Sequence, residues 1–68
     1  GTYFFMNEEY ICIYNGTDAI GFYKNDDLGL EENLIEQRNQ IMDVLEEKGK
    51  MFLQDYNKRI VEGTLGAD

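Results

Sequence analysis

Sixty-eight residues allow one small domain. A chain of that size buries only about 60% of its unfolded surface, so its core must be unusually efficient or completed by another chain. A net charge of −8 opposes direct binding to nucleic acid or an anionic membrane. One cysteine and no histidine exclude an internal disulfide and a Cys/His zinc site, and no apolar stretch approaches the ~20 residues of a membrane span.

Tyr3, Phe4, Phe5 and Met6 open the chain as an apolar run of strand-forming residues, interrupted by Asn7, Glu8 and Glu9. Tyr10 to Tyr14 is the clearest strand, built from aromatic and β-branched types around Cys12. Asn15-Gly16-Thr17-Asp18 is a hairpin signal, and Ala19 to Lys24 makes the return strand. The pattern predicts a three-stranded antiparallel meander. A four-residue loop would place Tyr14 opposite Ala19, Ile13 opposite Ile20, Cys12 opposite Gly21, Ile11 opposite Phe22 and Tyr10 opposite Tyr23. Alternation then gives one apolar face of Ile11, Ile13, Ile20 and Phe22, expected against a helix. The opposite face carries Tyr10, Cys12, Tyr14 and Tyr23 around Gly21. The first strand is apolar on both sides, and one helix can cover only one of them.

Asn25, Asp26 and Asp27 turn the chain. Leu30, Leu34, Ile41, Leu45, Phe52, Tyr56 and Ile60 then recur at i, i+4 and i+7, which predicts one long amphipathic helix from Leu30 to Val61. Asp26, Asp27 or Gly29 could cap its start, and Gly63 would stop it. This makes residues 1–62 one α+β domain and 63–68 a loose tail. Gly49 is the one place where the helix could break. The apolar stripe keeps phase across it, and no Ser, Thr, Asp or Asn stands just beyond it to cap a second helix, so a continuous helix is expected. Such a helix runs about 48 Å, whereas a compact chain of this length is roughly 28 Å across. It should overhang its own domain and expose apolar residues from about Leu45 onward. The eleven-residue echo of Leu30, Ile41 and Phe52 is too short to distinguish from an ordinary helical face.

The residues do not assemble a reaction centre. Nucleophilic catalysis needs an activated Ser, Cys or Thr beside a base, and Ser and His are absent while Cys12 sits mid-strand as a packing residue. Asn25-Asp26-Asp27 with Glu31 and Glu32 lacks the spacing of an EF-hand loop and reads as a turn and cap. Asn15-Gly16-Thr17 matches a glycosylation pattern but is already explained as the hairpin turn. No enzyme activity, metal or other cofactor is expected. Tyrosines on a sheet can stack bases, but only Lys24 stands among Glu8, Glu9, Asp18, Asp26 and Asp27. Tyrosine is also enriched at protein interfaces, against the plain alternative of rings half-exposed on an open face.

The expected partner surface is therefore Tyr10, Tyr14 and Tyr23 on the sheet with Leu45, Phe52 and Tyr56 on the helix. The overhanging helix and the two-sided apolar strand Tyr3 to Met6 imply self-association, most simply a homodimer, and the acidic charge implies no direct nucleic-acid or membrane binding. Two functions fit. The first is a small acidic regulator or inhibitor that binds a basic protein surface, with DNA mimicry as one form. The second is a structural oligomerisation module. Gly1 in place of Met is expected of a trimmed, tagged or excised chain, the last being a piece of a longer one. A lone cysteine fits a reducing, cytoplasmic setting or is indifferent to compartment. The lack of Pro, Ser, Trp and His beside six Asn and five Tyr fits an AT-rich coding source such as a phage or low-GC bacterium.

Overall fold

The computed structural model describes the backbone of residues 1–67 and the side chains of residues 1–56. Three strands, β1 (Tyr3–Met6), β2 (Tyr10–Tyr14) and β3 (Ala19–Lys24), form an antiparallel sheet in the order β1-β2-β3. A single-turn 3-10 segment (Ile35–Gln37) precedes one helix, α1 (Gln40–Ala67). This is the α+β meander with one long helix that the sequence predicts.

Asparagine side chains set both tight turns. Asn7 Oδ1 accepts the N–H groups of Glu9 and Tyr10 at 2.8 and 2.7 Å, and Asn15 Oδ1 accepts those of Thr17 and Asp18 at 2.9 and 2.8 Å. Gly16 follows with φ +99°, the left-handed conformation that glycine enters without strain. Tyr14 does stand opposite Ala19. One step further the expected register fails, because the ladder is irregular and Ile13 pairs with Gly21, Cys12 with Phe22, Ile11 with Tyr23 and Tyr10 with Lys24. Ile20 is the additional residue, and a one-residue slip exchanges the faces of everything beyond it.

The expected faces are consequently redistributed. Phe22 joins Tyr10, Cys12 and Tyr14 on the covered side, and the core cluster is Tyr10, Cys12, Phe22, Leu34, Met42 and Leu45. Ile11 and Ile13 lie on the far side with Tyr23, and Ile20 is half exposed. The tyrosines tolerate burial because their hydroxyls find partners at the rim. Asn39 Nδ2 donates to Tyr10 Oη at 3.0 Å, and Tyr14 Oη donates to the Thr17 carbonyl at 3.1 Å. Burial also pushes the Cys12 thiol up to about 11, with the nearby Glu46 charge adding to the shift, which leaves the thiol protonated and unreactive.

The helix starts at Gln40, ten residues later than predicted. The Asp27 carboxylate accepts the N–H groups of Glu31 and Glu32, as a capping residue would, but caps a loop. Those hydrogen bonds, led by the one from Glu32, hold its pKa below the ordinary value. Leu30 then takes φ +50°, which ends any helical continuation there. The working N-cap is Asn39, whose Oδ1 accepts the Met42 N–H at 2.9 Å while its amide holds Tyr10. One side chain thus starts the helix and fixes it to β2.

Beyond that cap, the helix is unbroken through Gly49 and through Gly63, where a stop was expected. The predicted loose tail and the stripe residue Ile60 fall outside the residues whose side chains are described. At 1.5 Å per residue α1 is about 42 Å long, and the molecule measures 47 × 23 × 20 Å. Its radius of gyration is 14.2 Å, against about 11 Å for a compact chain of this length.

Candidate functional site

The helix lies against β1 and β2, while the 3-10 segment packs on β3. Its inward line is Met42, Leu45 and Gly49, with Leu53 half-buried. At Gly49 the helix meets β1: a Cβ there would run into the Phe5 ring. Glycine therefore serves close packing and not a helix end. The Phe5 ring also packs on Tyr14, with ring centroids 5.3 Å apart.

The two flanks of this inward line differ in chemistry. On one flank Glu46 is buried and accepts from Arg38 and from Lys50, the latter at 3.1 Å, and Arg38 also pairs with Asp43 at 2.8 Å. Burial alone would raise the Glu46 carboxyl, but the hydrogen bonds from Arg38 and Lys50 outweigh it and hold its pKa below the ordinary value. The Arg38 guanidinium caps the Phe22 ring at 4.7 Å, and Lys50 and Lys24 stand 5.8 and 5.5 Å from the rings of Tyr14 and Tyr10. This flank is closed by its own partners.

The other flank is open and apolar. Ile41, Val44 and Phe52 are 45%, 44% and 68% exposed and follow one another at i, i+3 and i+11. Between this flank and β1 runs a groove of about 310 Å³ lined by Phe5, Met6, Val44, Lys48, Gly49 and Phe52. Lys48 is the one charged residue lining it among those described. Phe52 stacks on the exposed Tyr56 ring at 6.5 Å and 8°.

The sheet edges continue the same division. An antiparallel ladder alternates between residues bonded to the neighbouring strand and residues whose N–H and C=O point away. Asn7 N–H donates to the Tyr10 carbonyl at 3.1 Å, which fixes the phase along β1: Tyr3 and Phe5 bond to β2, and Phe4 and Met6 turn their backbone groups outward. On β3 Phe22 and Lys24 turn outward; the Lys24 carbonyl accepts Asp27 N–H at 3.0 Å, and both groups of Phe22 are taken. Its N–H donates to Asn33 Oδ1 at 3.1 Å and its carbonyl accepts Leu34 N–H at 2.6 Å, while Asn33 Nδ2 reaches the Ile20 carbonyl at 3.2 Å. Among the described residues nothing comparable covers β1.

The six expected interface residues separate on this geometry. Tyr10, Tyr14 and Leu45 are core, exposed by 5%, 7% and 7%, and belong to the fold. Tyr23 lies half-buried on the far sheet face, its ring over Gly21. Phe52 and Tyr56 are exposed and stacked beside the groove. Sequence reasoning missed the exposed pair Phe4 and Met6 and the flank residues Ile41 and Val44. The signal was present in the two-sided apolarity of Tyr3 to Met6, but it needed the ladder phase to become an open edge.

No helix among the described residues is long and apolar enough to cross a membrane, and no group of three or more His, Cys, Asp or Glu is placed to hold a metal ion. Comparison with protein-family models, with curated proteins and with solved structures finds no match.

Proposed function

We propose that this chain is a non-enzymatic protein-interaction module that works through the flank formed by β1 and α1. The observation that carries the reading is continuity: an edge strand with free backbone groups at Phe4 and Met6 borders an apolar groove and the exposed stripe Ile41, Val44 and Phe52. Backbone pairing supplies affinity along such an edge, and the adjoining apolar groove supplies specificity. This supports an oligomerisation or docking role in which the surface holds chains together.

A second reading, an acidic regulator or inhibitor that binds a basic protein surface, is favoured by the connection between β3 and α1. Asp26, Glu31, Glu32 and Glu36 are exposed there, whereas the described ion pairs all lie among Arg38, Asp43, Glu46 and Lys50. The connection therefore contributes exposed acids, outside those ion pairs, to the net charge of −8.

Site-specific photocrosslinking in cells that make the full chain separates the two. A photoreactive phenylalanine analogue at Phe52 should capture protein, and the same probe at Glu32 should not. Capture from Glu32 alone, weakening as salt rises, would establish the acidic reading in its place. No protein captured from either position would contradict both.

A further inference from the structure

We infer that the open β1 edge takes β1 of a second copy of this chain, joining two three-stranded sheets into one six-stranded sheet with both helices on the same face. The inference rests on the interaction reading above and names its partner. Self-complementarity is the first argument. An antiparallel edge pairs with itself about a two-fold axis. Because Phe4 and Met6 carry the outward N–H and C=O groups, the pair can centre on Phe5, with Phe4 facing the position of Met6 in the other copy. Tyr3 to Met6 contains no charge, no proline and no bulge, the devices that ordinarily prevent such pairing.

Area is the second argument. Phe4, Met6, Ile41, Val44, Phe52 and Tyr56 are 44–68% exposed. Phe4 and Met6 stand on the far face of the sheet, opposite Ile13 and Ile11, and the other four on the helix side, so a strand-to-strand seam has apolar surface on both of its sides. Large apolar side chains half exposed contribute about 100 Å² each, so the six together present roughly 600 Å², most of the ~800 Å² per partner of a stable interface before main chain is added. The third argument is charge. A chain of −8 can meet its copy only where the acids are not. The acidic connection covers the β3 edge, and the groove at β1 is lined by a single charge, Lys48. With strands ~4.8 Å apart, the two connections in a six-stranded sheet stand about 25 Å apart, beyond the ~8 Å screening length at physiological salt.

Sedimentation equilibrium of the full chain at micromolar concentration tests the inference, with circular dichroism to verify that each variant is folded. The wild type should sediment at twice its 7.9 kDa mass. Phe4→Pro removes an outward N–H without touching the β1–β2 ladder, whereas Phe4→Val keeps it. Phe4→Pro should weaken the dimer at least about tenfold more than Phe4→Val does. Phe52→Glu, on an exposed helix position, should weaken it by about tenfold or more by burying a charge in the contact. A wild-type monomer of 7.9 kDa would overturn the inference, and if Phe52 still captured another protein the interaction reading would survive alone. A dimer that Phe4→Pro and Phe4→Val weaken equally would also overturn it, since the contact would then be made by the sheet face and not its edge.

Discussion

At the β3 edge, Phe22 donates its N–H to Asn33 and accepts the Leu34 N–H at its carbonyl; at the β1 edge, Phe4 and Met6 turn the same groups outward. The helix repeats the contrast, since its flank toward Arg38 is tied by Glu46 and Lys50 while its flank toward β1 shows Ile41, Val44 and Phe52. The covered edge uses both Phe22 groups within the chain and lies under an acidic loop. The open edge keeps that capacity and carries no acid from Tyr3 to Met6. In a domain this small, one side builds the core and the other leaves apolar side chains and strand-edge groups exposed.

If that division is right, equal truncations on the two edges should have unequal costs. Phe22 is fully buried, so Phe22→Ala should destabilise by about 3–5 kcal/mol, through lost burial and the cavity left behind. Phe4 is 57% exposed, and Phe4→Ala should cost less than about 1 kcal/mol in dilute chain, where association does not contribute. Denaturant unfolding of both variants measures the ratio. Equal costs would erase the distinction.

Gly49 sharpens the comparison by showing how β1 is held. A helix-interior glycine usually gains about 1 kcal/mol on replacement by alanine. Here the added methyl meets the Phe5 ring, so Gly49→Ala should destabilise by about 1–3 kcal/mol. In a Phe5→Ala background the clash is gone, and the same substitution should stabilise by about 0.5–1 kcal/mol. A stabilising Gly49→Ala in the wild-type background would mean that the ring does not sit on the helix.

Opening the covered edge is a smaller perturbation. Asn33→Ala removes the acceptor for the N–H groups of Phe22 and Ile35 and the donor to Ile20, and should cost about 1–2 kcal/mol. It should also create a second free edge, visible as species larger than a dimer in sedimentation.

Acid is the mildest test. Glu46 has a folded pKa below its ordinary 4.5, so the folded chain binds fewer protons at this site than the unfolded chain. Its contribution is therefore full above about pH 4.5 and is lost as pH falls through the lower folded value. Arg38 and Lys50 are about a third exposed, so screening limits the effect to roughly 1 kcal/mol. Glu46→Gln should lose about that much at neutral pH and show a flatter decline in stability below pH 4.5.

The meander was legible because its signals are local: the aromatic and β-branched run Tyr10 to Tyr14, and the Asn15-Gly16 turn. The unbroken passage of the helix through Gly49 was also legible, from the phase of its stripe. What could not be read depends on contacts distant in sequence. Ile20 bulges beside Asn33, which bonds both sides of Gly21 from more than ten residues away, and that slip decides which face holds Phe22. The helix start was misplaced because Leu30 and Leu34 continue the helical spacing while Leu30 takes a left-handed φ and Asn39 provides the cap. Leu34 is buried all the same, from a connection and not from a helix. Of the expected contact residues, Phe52 and Tyr56 keep their exposure, whereas Tyr10 and Tyr14 bury their rings because their hydroxyls are hydrogen-bonded at the rim, Tyr10 accepting from Asn39 and Tyr14 donating to the Thr17 carbonyl.

Amide hydrogen exchange compares the two edges within one sample. In dilute chain the Phe22 amide, bonded to Asn33, should be protected, and the Phe4 and Met6 amides should exchange at rates near those of open chain. Raising the concentration should protect Phe4 and Met6 and leave Phe22 unchanged. Protection of Phe4 and Met6 that is already complete in dilute chain, or that never appears as the chains associate, would contradict the account.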